Sequence, residues 1–129
     1  MAKPASSGKR AFGEAIEKDA ADFLSQQGLI LVSRNFQCKL GEIDLIMRHC
    51  DTLVFVEVRY RRSSAYGSAA ATVDRRKQRK LVRTAQFYLV RSGLRDHMPC
   101  RFDVLGINPA AIGTGLQFDW IKSAFTASD

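Results

Sequence analysis

Hydrophobic and polar residues alternate along the middle of the chain, and this period of two predicts a pair of β-strands. The strands are predicted at Gly41–Arg48 and Leu53–Arg61, joined by the short polar segment His49–Thr52. The first strand is expected to present its side chains on two faces, with Glu42, Asp44 and Ile46 on one and Ile43, Leu45 and Met47 on the other.

The expected register of this hairpin brings two acidic residues together. If the loop puts Arg48 opposite Leu53, the same antiparallel register puts Asp44 directly opposite Glu57. Side chains in such a pair have Cβ atoms about 4.5–5.5 Å apart, and like charges at that distance are destabilising. The pattern therefore requires something positive beside the two carboxylates.

Two explanations of this pair stay open. A divalent cation could lie between Asp44 and Glu57, and an all-oxygen ligand set favours Mg²⁺ or Mn²⁺ over zinc. Alternatively, Arg59 and Arg61, which share the face of Glu57, could neutralise the carboxylates as an ion-pair cluster.

Two long helices are predicted on either side of the hairpin, at Gly13–Gln27 and at Val73–Val90 with Thr72 as N-cap. The element order α-β-β-β-α-β-β favours an α/β or α+β fold with a mixed central sheet flanked by these helices. At 129 residues we expect one domain over residues 13–129 after a flexible tail at 1–12. The other strands are predicted at Leu29–Phe36, as an edge, at Arg101–Ile107 and at Leu116–Ile121, with a brief helix to Phe125.

Two charged residues lie close to the apolar stripes of these helices. Glu17 is adjacent to Leu24 on the helical wheel, so it either leans over the sheet or remains a surface acid near the helix N-terminus. Lys77 lies between Val73 and Leu81 on the inward side. Its ammonium group is expected either to meet a carboxylate or ligand, or to reach solvent along its stem.

The excess positive charge is confined to one segment. Of a net charge of +7, residues Arg59–Arg83 hold +8, with nine basic residues against one acid. Such a localised patch is typical of nucleic-acid binding, and a solvated helix face is the alternative. The candidate nucleic-acid-binding residues are Arg61, Arg62, Arg75, Arg76, Arg79, Lys80 and Arg83.

The remaining composition favours a cytoplasmic protein. The N-terminus lacks the apolar core of a signal peptide, and no apolar run reaches the length of a membrane span. The three cysteines are odd in number and form no CxxC motif, so we expect reduced thiols.

The motifs resemble those of the bacterial YraN-type family over about residues 13–125. That family is similar in turn to the PD-(D/E)xK nucleases, in a form like archaeal Holliday-junction resolvases and tRNA-splicing endonucleases. The matching pieces are Gly13 with Glu17, Arg34-Asn35-Phe36, GEIDLI at 41–46, LVFVEVRYR at 53–61, Tyr66-Gly67, Val73 with Lys77, and RFDV at 101–104.

The resemblance implies a restriction-endonuclease-like core and a role for each site residue. It makes Asp44 and Glu57 the metal-binding acids, for Mg²⁺ or Mn²⁺, and Glu17 the helix-one acid that completes the metal site. The catalytic lysine of that superfamily is replaced here by Arg59. Arginine stays protonated and cannot act as a general base, but it can stabilise a phosphate. Lys77 could supply the missing ammonium.

The function expected from these features is a metal-dependent endonuclease acting on structured or branched nucleic acid, DNA rather than RNA. The alternative is a catalytically weak or inactive nucleic-acid-binding module that uses the basic face of helix 73–90. A third hypothesis is an interaction domain whose basic face binds an acidic protein or the ribosome. Resolvase-like folds commonly dimerise, so a homodimer is one expected assembly.

Overall fold

The computed structural model of the protein describes residues 5–63, 67–94, 98–110, 113 and 115–127. This part of the chain has the predicted order α-β-β-β-α-β-β, with a mixed sheet flanked by two long helices. Its elements are α1 (Ala5–Gln26), β1 (Ile30–Cys38), β2 (Gly41–His49), β3 (Thr52–Tyr60), a 3₁₀ turn (Ala70–Thr72), α2 (Arg75–Ser92), β4 (Cys100–Pro109) and β5 (Leu116–Phe125).

The five strands lie side by side in chain order, β1-β2-β3-β4-β5, so β1 is an edge strand as predicted. Antiparallel pairs form between β1 and β2, between β2 and β3, and between β4 and β5. The central pair β3–β4 is parallel, because α2 carries the chain back across the sheet between these two strands.

Each face of the sheet is covered by one helix. Alternate residues of β3 enter different hydrophobic layers: Val54 and Val56 pack with α1, whereas Leu53 and Phe55 pack with α2. β3 is accordingly buried without a break from Leu53 to Glu57, as expected of a strand covered on both faces. No helix in the described ranges is long and apolar enough to span a bilayer.

The predicted register of the β2–β3 hairpin is confirmed as far as Leu45, and the predicted Asp44–Glu57 pair lies one position beyond the ladder. Arg48 pairs with Leu53, and the regular ladder continues to Leu45–Val56. The predicted faces of β2 were wrong at one position. Ile43 packs in the α2 layer, whereas Leu45 belongs to the α1 layer. Strict alternation thus fails just where the ladder with β3 ends.

The first helix begins earlier than predicted. It includes residues 5–12, the described portion of the predicted tail, whereas its start was expected at Gly13. Phe12 makes an edge-to-face contact with Tyr60 of β3, with ring centroids 4.9 Å apart. Such a tertiary contact stabilises helix on the N-terminal side of a glycine, where local propensity alone is weak.

The start of α2 also differs from the prediction. The N-cap is Asp74 and not Thr72, because the Asp74 carboxylate accepts the N–H of Lys77 at 2.9 Å. The Thr72 hydroxyl instead donates to the Ala69 carbonyl at 2.6 Å within the 3₁₀ turn. The side chain that can accept an unpaired helix N–H therefore determines where the helix begins.

The brief helix predicted up to Phe125 is absent from the structure, because β5 continues through that residue. A bulge at Ser123 keeps the strand paired, and its N–H donates to the buried Asp103 carboxylate at 2.9 Å. The same carboxylate accepts Trp120 Nε1–H at 2.9 Å and Arg101 Nε–H at 3.1 Å. Hydrogen bonds from Trp120 and Ser123 of β5 to the Asp103 carboxylate of β4 thus extend β5 to Phe125.

Two glycine substitutions test this packing in opposite directions. A Cβ on Gly106 would lie 2.6 Å from Cβ of Ala69, so we expect Gly106→Ala to lower the free energy of unfolding by about 1–3 kcal/mol. A Cβ on Gly13 in α1 meets nothing within 4 Å, so Gly13→Ala should raise the free energy of unfolding by about 0.5–1 kcal/mol. Urea unfolding followed by fluorescence of Trp120 measures both. A Gly106→Ala protein as stable as wild type would contradict the close contact.

Candidate active site

The candidate site forms where β2 and β3 stop pairing. One residue beyond the last ladder pair, the Asp44 carboxylate accepts the main-chain N–H of Val58 at 2.8 Å. This bond ties a side chain of β2 to the backbone of β3 beside Glu57. The two carboxyl groups consequently lie within hydrogen-bonding reach of one another, as the predicted register requires.

The two carboxyl groups have strongly perturbed acidities. Glu57 is only 6% exposed. Burial, and secondly the negative charge of Asp44, raise the pKa of Glu57 from its ordinary 4.5 to about 7. Burial also raises the pKa of Asp44, against the effect of the Val58 hydrogen bond, which favours the carboxylate form. Two acids this close in a poorly solvated place favour sharing one proton, because a second negative charge is disfavoured beside the first.

Two cationic side chains reach the same carboxylate oxygen. Arg59 Nη2 lies 3.1 Å from Glu57 Oε2, and Lys77 Nζ lies 3.5 Å from that atom. The prediction that Lys77 meets a carboxylate is confirmed. Arg59 Nε is buried and has no acceptor within the described part of the chain. The site therefore combines two acids, two cations and one unpaired donor.

Glu17 approaches the pair from α1 and is half-buried. Burial first, and then the negative charge of Asp44, raise the pKa of Glu17, while Arg34 lowers it. Its partial burial and the effect of Asp44 on its pKa agree with the predicted position toward the sheet. Asp44 thus feels charges from both helices, since Lys77 of α2 also acts on its pKa.

Two residues near the site were not predicted as site residues from the sequence. Arg34 pairs with Leu45, next to Asp44, and Glu42 is a further charge that raises the pKa of Asp44. Glu42 Oε2 also accepts a hydrogen bond from Gln37 Nε2 at 3.3 Å. The register of the β1–β2 hairpin, with its two-residue turn, was the signal that could have identified both residues.

The predicted nucleic-acid-binding residues lie in different surroundings. Arg61 donates to the Gly67 carbonyl at 2.7 Å, which ties down the segment after β3. Lys80 faces the β1–β2 turn together with Lys77. The arginines at 75, 79 and 83 instead line a cavity of about 220 Å³ beside residues 126–127. Exposed to solvent are Arg62, Arg75, Arg76, Arg79, Lys80 and Arg83.

The donor set suits only a sparsely coordinated metal. Over the residues that the structure describes, no three His, Cys, Asp or Glu side chains converge as a ligand group. Asp44 and Glu57 supply two adjacent carboxylates that repel one another when both are charged. Mg²⁺ and Mn²⁺ accept such sites, because they keep several water ligands and need only one or two protein carboxylates. The pair therefore fits an ion of this kind.

The fold and its site define a small α+β protein with a buried carboxylate pair at the open end of a central hairpin. The chain belongs to the family described as Uncharacterised protein family UPF0102, whose model matches residues 16–107. This agrees with the YraN-type resemblance found from the motifs, and the matched range includes Glu17, Asp44, Glu57, Arg59 and Lys77.

Bacterial relatives cover nearly the whole chain. A UPF0102 protein of Alcanivorax borkumensis is 49% identical over 117 residues, which are 91% of this chain and 93% of that protein. One of Pseudomonas syringae pv. syringae is 50% identical over 113 residues, 88% of this chain and 91% of that protein. One of Saccharophagus degradans is 48% identical over 117 residues, covering 91% and 94%.

The shared proton predicts how stability depends on pH. Between 4.5 and about 7 the folded protein retains a proton on Glu57 that the unfolded chain has lost. The free energy of unfolding should therefore fall as pH rises through this window. Urea unfolding in EDTA at several pH values measures the fall. It should be smaller in Glu57→Gln, while the control Asp51→Asn, at an exposed position in the β2–β3 turn, should follow wild type. Equal slopes in wild type and Glu57→Gln would contradict the assignment.

Proposed function

We propose that this protein is a metal-dependent endonuclease-like phosphodiester hydrolase acting on structured or branched nucleic acid. The observation that carries the proposal is the pair Asp44–Glu57, with Lys77 and Arg59 both against Glu57 Oε2. Two carboxylates that need a cation, beside two positive groups that can meet a phosphate, are the components of phosphodiester hydrolysis.

Each residue of the site has a distinct role in this proposal. Asp44 and Glu57 hold the Mg²⁺ or Mn²⁺, and Glu17 adds negative charge from α1. A bound ion of this type would supply an activated water and neutralise charge on the scissile phosphate. The contribution of Arg59 is electrostatic, because a guanidinium group does not act as a general base, and Lys77 adds a second positive charge.

The unpaired donor of Arg59 supports a phosphate ligand in the same place. A buried N–H without an acceptor costs about 1–3 kcal/mol. Arg59 Nε is such a group among the described residues, and the guanidinium as a whole is partly exposed. A phosphate oxygen drawn to this guanidinium would provide the missing acceptor after a small adjustment of the side chain.

The basic residues provide the affinity for the polyanion. Seven exposed or half-exposed cations follow the end of β3 and the outer side of α2, and phosphate contacts of this kind dominate nucleic-acid affinity. From the resemblance we infer DNA rather than RNA as substrate and a homodimer as the assembly that cuts two strands, and from the composition we infer the cytoplasm as the location.

A second candidate function has its own support. Glu57 Oε2 already contacts both Arg59 and Lys77, so the carboxylate is compensated without a metal. The protein would then be a nucleic-acid-binding module with an inactive site, and its basic residues would act alone. Metal binding separates the two functions.

Metal binding is expected to be weak and to depend on Asp44. Titration calorimetry with Mn²⁺ should give measurable heat for wild type and none for Asp44→Asn, because the substitution leaves Glu57 as the one charged ligand of the pair, and Arg59 and Lys77 already compensate that carboxylate. Asp51→Asn, which removes an exposed carboxylate from the β2–β3 turn, should bind like wild type. Equal affinity in wild type and Asp44→Asn would reject the metal site.

Cleavage of a labelled branched DNA with Mn²⁺ tests the two cations. Arg59→Ala should lose about 10²–10³-fold in rate, the scale for removing one charge-stabilising donor, and Lys77→Ala a similar amount. Arg59→Lys should retain or raise the rate, because lysine is equally charged at this position. Arg91→Ala, at an exposed residue in the last turn of α2, is the control and should leave the rate unchanged.

The same assay decides between the two functions. Cleavage that persists in Asp44→Asn is contamination and favours the binding module. A rate that is indifferent to Arg59→Ala and Lys77→Ala would exclude their proposed roles.

A further inference from the structure

A polar groove of about 330 Å³ lies beside the carboxylate pair, between the β1–β2 turn and α2. Lys77 and Lys80 line its α2 side, and Cys38, Gly41 and Glu42 line its hairpin side. Since Lys77 also contacts Glu57, the groove is continuous with the candidate active site.

Close packing of the hairpin on α2 holds the second lysine in position. Gly41 has φ 152°, and a Cβ there would lie 2.9 Å from Thr84 Oγ1 and 3.2 Å from Lys80 Cε. The Thr84 hydroxyl is itself held, donating to the Lys80 carbonyl at 2.8 Å. The Lys80 stem therefore lies against the turn, and part of the entropy cost of ordering its side chain is already met before any ligand binds.

The charges in the groove favour an anion. Lys80 forms no ion pair within the described ranges, and Lys77 shares Glu57 Oε2 with Arg59. The one carboxylate on the wall, Glu42, accepts a hydrogen bond from Gln37. Two ammonium groups against one carboxylate leave net positive charge, and lysine binds phosphate as a point charge without requiring a planar partner.

We propose that this groove is a phosphate subsite, which holds the backbone phosphate adjacent to the one at Asp44 and Glu57. The proposal rests on the proposed function, since it places the same strand along the hairpin. Arg75, Arg79 and Arg83 line a separate cavity elsewhere on α2 and do not belong to this subsite. The basic segment thus divides into a subsite next to the carboxylates and a more distant arginine surface.

Cys38 provides a reporter inside the groove. All three cysteines are free, and Cys38 is half-buried, so replacing Cys50 and Cys100 by serine leaves one thiol in the groove wall. A forked DNA duplex in EDTA, which prevents metal-dependent cleavage, should slow alkylation of Cys38 by iodoacetamide. The protection factor is the ratio of the alkylation rates without and with DNA. Because each variant is compared with itself, differences in intrinsic thiol reactivity between variants cancel.

Two matched substitutions on α2 locate the contact. Lys80→Gln should weaken DNA binding, measured by fluorescence anisotropy, by about tenfold, as expected for one hydrogen bond to a charged group. It should also reduce the protection of Cys38 at saturating DNA. Arg83→Gln also removes one positive charge, but from outside the groove, and should leave the protection of Cys38 at saturating DNA at the wild-type value. Lys80→Arg keeps the charge in the groove and should protect Cys38 as wild type does.

The outcomes separate this proposal from the proposed function. If protection of Cys38 depends on Lys80 but the protein shows no metal-dependent cleavage, the phosphate subsite is supported and only the proposed hydrolase activity is rejected. DNA binding that leaves Cys38 unprotected overturns the subsite while cleavage can still occur. The subsite is also overturned if Lys80→Gln and Arg83→Gln reduce protection equally, or if DNA does not bind at all.

Discussion

The close approach of Asp44 and Glu57 is the constraint on which the rest of the site depends. Two carboxyl groups are held together by the hairpin register and by the Val58 N–H, in a place where water screens their charges poorly. The folded protein meets this repulsion with a shared proton and with two cations on one oxygen. The hydrophobic layers on both sides of the sheet must offset what remains, because the carboxylates disfavour folding at neutral pH.

The three-layered fold explains how such a site can be assembled. The pair lies where the β2–β3 ladder ends, so both faces of the sheet can reach it. α1 contributes Glu17 from one face, and α2 contributes Lys77 from the other, while β3 carries Glu57 and Arg59. Neither helix alone provides the balance of charges. The parallel crossover through α2 is what brings a lysine from a distant part of the chain onto an acid of β3.

Acidic and basic side chains meet at the site, where Arg59 and Lys77 contact Glu57, and further basic residues continue along α2. The acids cluster at the open end of the hairpin, and the basic side chains follow α2 away from it. If the protein binds nucleic acid as we propose, a polyanion drawn to the basic side would be directed toward carboxylates that otherwise repel it, once a cation or a proton masks them. This arrangement accounts for charge of both signs within one small domain, and the packing of Gly41 against α2 holds the hairpin close to Lys80.

The sequence by itself determined the features that depend on local periodicity. The alternation and short loop of the hairpin specify its register, and the helical period turns Lys77 inward, so both follow from neighbours along the chain. Tertiary structure alone decided where α1 begins and how far β5 extends. It also decided which basic residues line the groove beside the carboxylates and which line the separate cavity on α2. Those outcomes depend on contacts between residues far apart in sequence, such as Phe12 on Tyr60 and Asp103 on Ser123, whose strength no local pattern encodes.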